Sequence, residues 1–340
     1  MAPSMSNREL ETAVDMTEAG APANRRQLVA PEYLPAIMVF AATILLIVIM
    51  KIVNPAFGSF GQLTAIAVTA IFLVVASFGQ GLVILLGGID LSLGVVIGIG
   101  GMMVTELTRG SNDALAYAIP LTLLGCLGIG LINGLGVAIG KLPSFIVTLA
   151  SGITFYGVAL GFTAGNSQQS VAPALQGFMS GRWLGVPYPI FFTILFVLVA
   201  WLFQNRSAQG RKLYALGSSP DAALILGLPI TALTIAVYAI SGLCAGVTGI
   251  LLAGYSSSAT IDMGNALLMP SIAAVVIGGA RVTGGSGIYL GTLGGALFLS
   301  TLSTVITTLS LSQGFRDIVQ GGIIIVALLL QSGRLNLRNR

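Results

Sequence analysis

The apolar residues of this chain come in continuous runs of Leu, Ile, Val, Ala and Gly, separated by short polar breaks. A bilayer core about 30 Å thick needs roughly 17–25 such residues in a helix rising about 1.5 Å per residue. Runs of that length predict ten spans, at residues 34–53, 62–86, 91–107, 114–140, 143–163, 188–204, 230–255, 266–282, 287–309 and 316–332. If two of the Gly-rich runs are re-entrant, the count falls to eight.

One stretch departs from this plain pattern. The run Gly81 to Gly101, GLVILLGGIDLSLGVVIGIGG, is long enough to cross a membrane but is broken by Gly87, Gly88, Ile89, Asp90, Leu91 and Ser92. A carboxylate and freed backbone groups are costly in lipid and persist where protein or water covers them. Interrupted helices of this kind are typical of transport proteins. A second break, at Gly278 and Gly279, lies in VVIGGARVTGGSGIYLGTLGG (275–295) and echoes the first. Internal duplication and chance similarity between Gly-rich segments both account for the echo.

Composition agrees. The 340 residues are 55% hydrophobic and 8% charged, against about 25% charged in soluble domains. A soluble protein is excluded. The 45 glycines include pairs at four-residue spacing, Gly94/Gly98, Gly130/Gly134, Gly157/Gly161, Gly242/Gly246 and Gly287/Gly291/Gly295, a spacing that lets membrane helices approach closely.

Charge sets the orientation. With a cytoplasmic N-terminus, eleven Lys and Arg fall on the cytoplasmic side and Lys51, Arg109, Arg182 and Arg316 on the other, as the positive-inside rule requires. The net charge of +4 follows from that bias and implies no nucleic-acid partner. Residues 1–30, with Glu9, Glu11, Asp15 and Glu18, are expected to be a disordered cytoplasmic tail. Residues 31–333 then form one transmembrane domain, with a long outer loop at 164–187 and a long cytoplasmic loop at 205–229, and residues 334–340 a basic cytoplasmic tail.

Candidate chemistry is sparse. Gln80, Asp90, Ser92, Asn133, Thr148 and Tyr156 are polar groups in or beside spans. They line a path for a polar solute or tie helices together, at about 0.6–2 kcal/mol per bond. Asp90 either relays protons or caps the helix that follows it, and its place beside Gly-Gly favours the cap. There is no His, and Cys126 and Cys244 sit in apolar runs as small packing residues. No Walker A loop exists; Gly140-Lys141-Leu142 lacks the hydroxyl residue that must follow the Lys. If ATP drives this protein, another chain binds it.

The cytoplasmic loop encodes a short helix. Ser219 is a good N-cap, Pro220 suits the first turn, Asp221 complements the helix dipole, and Gly227 with Pro229 ends it. Ala222, Ala223, Leu224, Ile225 and Leu226 give it an apolar face. Resting on lipid headgroups and docking a cytoplasmic partner are equally consistent with that face.

These segments resemble a known family. LGGIDLSLG (86–94), GLINGLGVAIGKLPSFIVTLASGITFYGVALGFTAG (130–165), GRKLYALGSSPDAALILGLPI (210–230), AISGLCAGVTGILLAG (239–254), SIAAVVIGGARVTGGSGIYLGTLGGA (271–296) and FRDIVQGGIIIVALLL (315–330) are similar to the permease subunits of bacterial ABC importers of the ribose/xylose/arabinose class, a branch shared with branched-chain amino-acid permeases. The resemblance covers roughly residues 34–332. It implies an all-α inner-membrane bundle of about ten helices, like the vitamin B12-type importers, paired with a second permease subunit, either another copy or a sister chain. It also implies a cytoplasmic ATPase that holds ATP and Mg, a periplasmic solute-binding protein, and a monosaccharide as solute. Ser219 through Gly227 correspond to the family's coupling helix, which favours docking. Arg281 departs from the family, where a small residue usually follows the second break. An ion-coupled carrier is the competing reading; the scarcity of charge inside the spans disfavours it, and the docking helix disfavours a simple channel.

Overall fold

The computed structural model describes residues 33–163, 170–312, 314–323 and 325–326. In chain order the helices are α1 (Leu34–Val53), α2 (Phe60–Leu85), α3 (Leu93–Thr108), α4 (Leu115–Ala138), α5 (Ser144–Thr163), α6 (Pro173–Ser180), α7 (Tyr188–Trp201), α8 (Ala208–Ser218), α9 (Pro220–Ile225), α10 (Ile230–Ser256), α11 (Asn265–Ile277) and α12 (Tyr289–Thr308). A last helix, α13, runs over residues 314–323. Among the described residues, seven helices are long and apolar enough to cross a membrane, and the apolar segments Leu93–Thr108 and Ile261–Ile277 are shorter. The chain is a polytopic membrane protein. The expected tails at 1–30 and 334–340 lie outside the described residues, as does most of the end of the span expected at 316–332.

Several boundaries differ from expectation for local reasons. The span expected at 266–282 stops at Ile277, leaving Arg281 in a loop where its side chain donates from Nε to Ser286 Oγ at 2.6 Å. The span expected at 188–204 passes from α7 into a π-helical turn at Leu202–Arg206. The loop expected at 164–187 carries α6 and a β-hairpin, β1 (Arg182–Trp183) with β2 (Val186–Pro187). That hairpin, a small exception to the all-α expectation, turns at Leu184 and Gly185, both with positive φ, the backbone that a two-residue primed turn requires.

α10 is the centre of the bundle. It packs on α4 and α3 through glycines so close that backbone meets backbone. A methyl group at Gly130 would lie 2.2 Å from the Tyr238 carbonyl oxygen, one at Gly242 2.3 Å from that of Cys126, and one at Gly249 2.2 Å from that of Ile97. In lipid there is little hydrophobic drive between helices, so this contact is what binds them. The glycine pairs seen in the sequence divide by position. Gly94/Gly98, Gly130/Gly134, Gly242/Gly246 and Gly287/Gly291/Gly295 all face backbone or side chains, whereas Gly157 and Gly161 on α5 face open space.

The same contacts give helix direction. From Gly79 back to Phe72, α2 follows α10 from Ser241 toward Tyr255, whose ring meets Phe72 at 5.3 Å. From Asp90 forward to Gly101, the chain follows α10 from Ser241 toward Gly249. The run from Gly81 to Gly101 therefore reverses direction at its break. It is a hairpin of two helices, as the separate spans expected at 62–86 and 91–107 require. α11 and α12 form a second such hairpin, with Gly278 against Gly291 and Ala274 against Gly295.

Candidate functional site

Both hairpins reverse by the same device. α2 ends with Gly88 N donating to Val83 O and Gly87 N to Ile84 O, with Gly87 at φ +77°. α11 ends with Ala280 N donating to Val275 O and Gly279 N to Val276 O, with Gly279 at φ +95°. Each is a Schellman cap, which needs a left-handed residue at the helix exit and so selects glycine. The sequence echo is thus real in geometry but shifted by one residue: Gly87 matches Gly279, not Gly278. The second Gly of the first break has Ala280 as its counterpart.

Beyond the first break lies a buried polar cluster. Asp90 Oδ1 accepts from Ser92 N at 3.0 Å and Ser92 Oγ at 2.6 Å, and Asp90 Oδ2 accepts from Ser241 Oγ at 2.8 Å. Asn133 Nδ2 donates to Ser92 Oγ at 2.8 Å. Thr148 Oγ1 accepts from Leu91 N at 3.0 Å and donates to Ile89 O at 3.3 Å, while Ser144 Oγ accepts from Ile89 N at 3.2 Å. With its amide set to satisfy both groups, Gln80 donates to Asp90 O at 3.1 Å and accepts from Asp90 N at 3.2 Å. Five of the six polar residues expected to line a path, Gln80, Asp90, Ser92, Asn133 and Thr148, are therefore gathered at one place, each 0–2% exposed. Tyr156 is not among them; it packs half-buried against the apolar cluster around α3.

The arrangement has a plain chemical logic. The irregular segment 86–92 frees backbone N–H and C=O groups in an apolar bundle, and side chains from α2 and α5 satisfy them while Ser241 of α10 holds the Asp90 carboxyl group. Asp90 caps the start of α3, which begins at Leu93 instead of the expected Leu91. Its carboxylate is held by hydroxyl and backbone donors, in keeping with a structural cap. Ser144, Ser241 and Tyr238 were not singled out in the sequence. Ser241 directly precedes Gly242, on the glycine face that meets α4 and α2, and that position was the available signal.

The loop at 205–229 carries the short helix expected at its centre. Ser219 Oγ accepts from Ala222 N at 3.3 Å, Pro220 and Asp221 occupy the first turn, and the helix closes in a third Schellman cap, with Leu228 N donating to Ala223 O and Gly227 N to Leu224 O. Gly227 takes φ +69°. Ala223 is buried at 1% exposure, whereas Leu224, Ile225 and Leu226 are 67%, 87% and 71% exposed. Three adjacent apolar side chains thus stand exposed as a knob at the end of this short helix.

α8, which precedes this helix, touches the end of α2 and the loop after the second break. Gly217 presses so closely on α2 that a methyl there would lie 1.9 Å from Leu85 O. That same Leu85 O accepts from Gly285 N at 2.9 Å, in the loop after the second break. Ser218 Oγ donates to Gly285 O at 3.3 Å, and Tyr214 OH to Gly287 O at 2.6 Å, with Gln204 Nε2 donating to Tyr214 OH at 3.0 Å. The end of α8, the end of α2 and the loop after the second break thus meet around Leu85 O.

Comparison with known proteins agrees with this architecture. The ribose import permease protein of Bacillus subtilis (strain 168) is 33% identical over 297 residues, covering 86% of this chain and 91% of its own length. The ribose import permease protein of Escherichia coli (strain K12) is 32% identical, covering 86% and 92%. The D-allose transport system permease protein of the same strain is 31% identical, covering 83% and 89%. No solved structure matches the chain significantly. Residues 62–328 match the description of one transport family, and the chain, a multi-pass membrane protein, belongs to that family of branched-chain amino acid transport system / permease components.

Proposed function

We propose that this chain is the membrane permease subunit of an ATP-driven importer for a monosaccharide, working beside a second permease subunit, with ATP and Mg bound by a partner ATPase and solute delivered by a binding protein. The N-terminus and C-terminus lie in the cytoplasm in this reading, and the fold is that of the vitamin B12-type importers. The sugar assignment draws on the ribose and allose permeases. The single observation that carries the coupling mechanism is the junction at Leu85 O, where α8 and the loop after α11 converge.

The mechanism follows from that junction. The ATPase grips Leu224, Ile225 and Leu226, and movement of α9 is passed to α8, which is continuous with it through the Ser219 cap. α8 cannot slide over Leu85 because Gly217 leaves no gap, so it carries the end of α2 and the Gly285 loop together. Both hairpins then move relative to the outer helices, and the solute path opens to one side at a time. The chain makes and breaks no covalent bond.

The test is co-expression with the neighbouring transport genes, followed by purification. An ATPase subunit should co-elute, and Asp221→Arg, which puts a cation at a helix N-terminus beside the knob, should release it. Solute uptake without ATP, and no ATPase under gentle extraction, would instead support an ion-coupled carrier.

A further inference from the structure

A cleft of about 840 Å³ lies between α2, α11, α12 and α13, at the end of the bundle away from the docking helix. Its polar wall is a stripe on one face of α12: Ser300, Ser303, Thr304 and Thr307 recur at helical spacing. Hydroxyls in that pattern have no reason to face lipid. Thr304 Oγ1 donates to Ser300 O at 3.0 Å and Thr307 Oγ1 to Ser303 O at 2.9 Å. Their hydrogens are committed to the helix, so their remaining lone pairs are acceptors for donors in the cleft. Beside it stands Arg316 of α13, whose guanidinium donates to Thr307 Oγ1 and whose buried Nε has no hydrogen-bond partner among the described residues, and Asp317, Gln320 and Asn265 add further polar groups to the lining. Leu73 and Leu299 supply an apolar floor.

Hydroxyl acceptors, a guanidinium, a carboxylate and amides around an apolar floor suit an uncharged polyol, whose hydroxyls donate and accept and whose C–H faces are apolar. We infer that this cleft is a solute subsite, occupied by a monosaccharide or similar polyol during passage, the identity of the solute resting on the importer reading above. The buried cluster at Asp90 is then the frame of the path and the α12 stripe part of its lining.

Ser303→Cys in the full chain, assembled with its ATPase and binding protein, tests this directly. The native Cys126 and Cys244 are 0% and 2% exposed, so the new thiol is the reporter. A small charged methanethiosulfonate added from the aqueous phase should label it, and labelling should cut ATP-driven uptake of a radiolabelled pentose at least tenfold. Labelling only by a membrane-soluble maleimide would place the stripe against lipid and overturn the subsite. Labelling with uptake unchanged would make the cleft wet but off the path, and would also overturn it. Thr304→Val, which keeps the side-chain volume and removes the acceptor, should lower uptake at least tenfold while the ATPase still co-elutes and hydrolyses ATP; uptake within twofold of the unsubstituted complex would refute the assignment. If the unsubstituted complex shows no ATP-dependent pentose uptake, the monosaccharide-importer reading itself fails and the polyol assignment falls with it, whatever the labelling.

Discussion

Gly217→Ala probes the junction on which coupling depends. Its methyl group would start 1.9 Å from Leu85 O and 2.9 Å from Gly285 N. Since carbon and oxygen rest at about 3.3 Å or more, α8 must withdraw by about 1.4 Å. Such a shift takes the bond from Gly285 N to Leu85 O, now 2.9 Å, beyond hydrogen-bonding distance if the Gly285 loop stays with α8 through Ser218. The lost bond costs about 0.5–1.5 kcal/mol and the overpacking about 1–3 kcal/mol. A combined 2–4 kcal/mol, at tenfold per 1.4 kcal/mol, reduces the engaged junction by roughly 30-fold or more. The assay is paired uptake and ATP hydrolysis in proteoliposomes containing permease, ATPase and binding protein. Uptake should fall more than tenfold while the ATPase still co-elutes and basal hydrolysis persists, because the knob at Leu224–Leu226 is untouched. Gly128→Ala, at a glycine with no atom within 4 Å of an added methyl, should leave both unchanged. Uptake by Gly217→Ala within twofold of the unsubstituted protein would refute the coupling route.

Other perturbations read other parts of the structure. Asp90→Ala removes the acceptor of three hydrogen bonds from Ser92 and Ser241 and should cost about 1.5–4.5 kcal/mol, at about 0.5–1.5 kcal/mol per bond; Asp90→Asn, which keeps one oxygen acceptor, should retain much of the thermal stability of the detergent-extracted protein. Gly130→Ala, 2.2 Å from Tyr238 O, should lower that melting temperature by several degrees, while Gly161→Ala on the open face of α5 should not. Ser219→Ala removes a helix cap worth about 1 kcal/mol and should weaken ATPase co-elution several-fold, measured by titrating the ATPase subunit. Ile225→Asp should abolish co-elution altogether, since the side chain at the tip of the knob is then charged.

Much of this was legible in the chain. Apolar runs located the long helices because length and composition alone decide what crosses a bilayer. The polar residues inside them converged because a buried polar group must find another: Gln80, Asp90, Ser92, Asn133 and Thr148 had few alternatives. Ser219, Asp221 and Gly227 announced the short helix because caps are local. What failed was everything set by pairing across distance. Nothing local marks Ser241 as the donor to Asp90, 151 residues away, or says that Gly217 faces Leu85. The reversal within Gly81–Gly101 was legible only as the gap between the spans at 62–86 and 91–107, since a glycine break taken alone serves a bend, a re-entrant turn or a full reversal. The one-residue offset between the breaks was invisible for a related reason: both contain Gly-Gly, and the cap fixes which Gly is left-handed.

The glycine contacts of α10 have a mechanical consequence. Where two backbones touch, neither helix can slide past or roll over the other without a steric clash at every glycine, so α3, α4 and α10 behave as a single rod. Cycles of opening have to be absorbed elsewhere, by elements that meet the rod through compressible side chains or face outward, namely α1, α5 and α7, most of whose surfaces are not buried in the bundle. The subunit is therefore an axle with movable vanes, and substitutions that jam transport without harming stability should concentrate on the vanes and the loops that join them to the bundle, not on the axle.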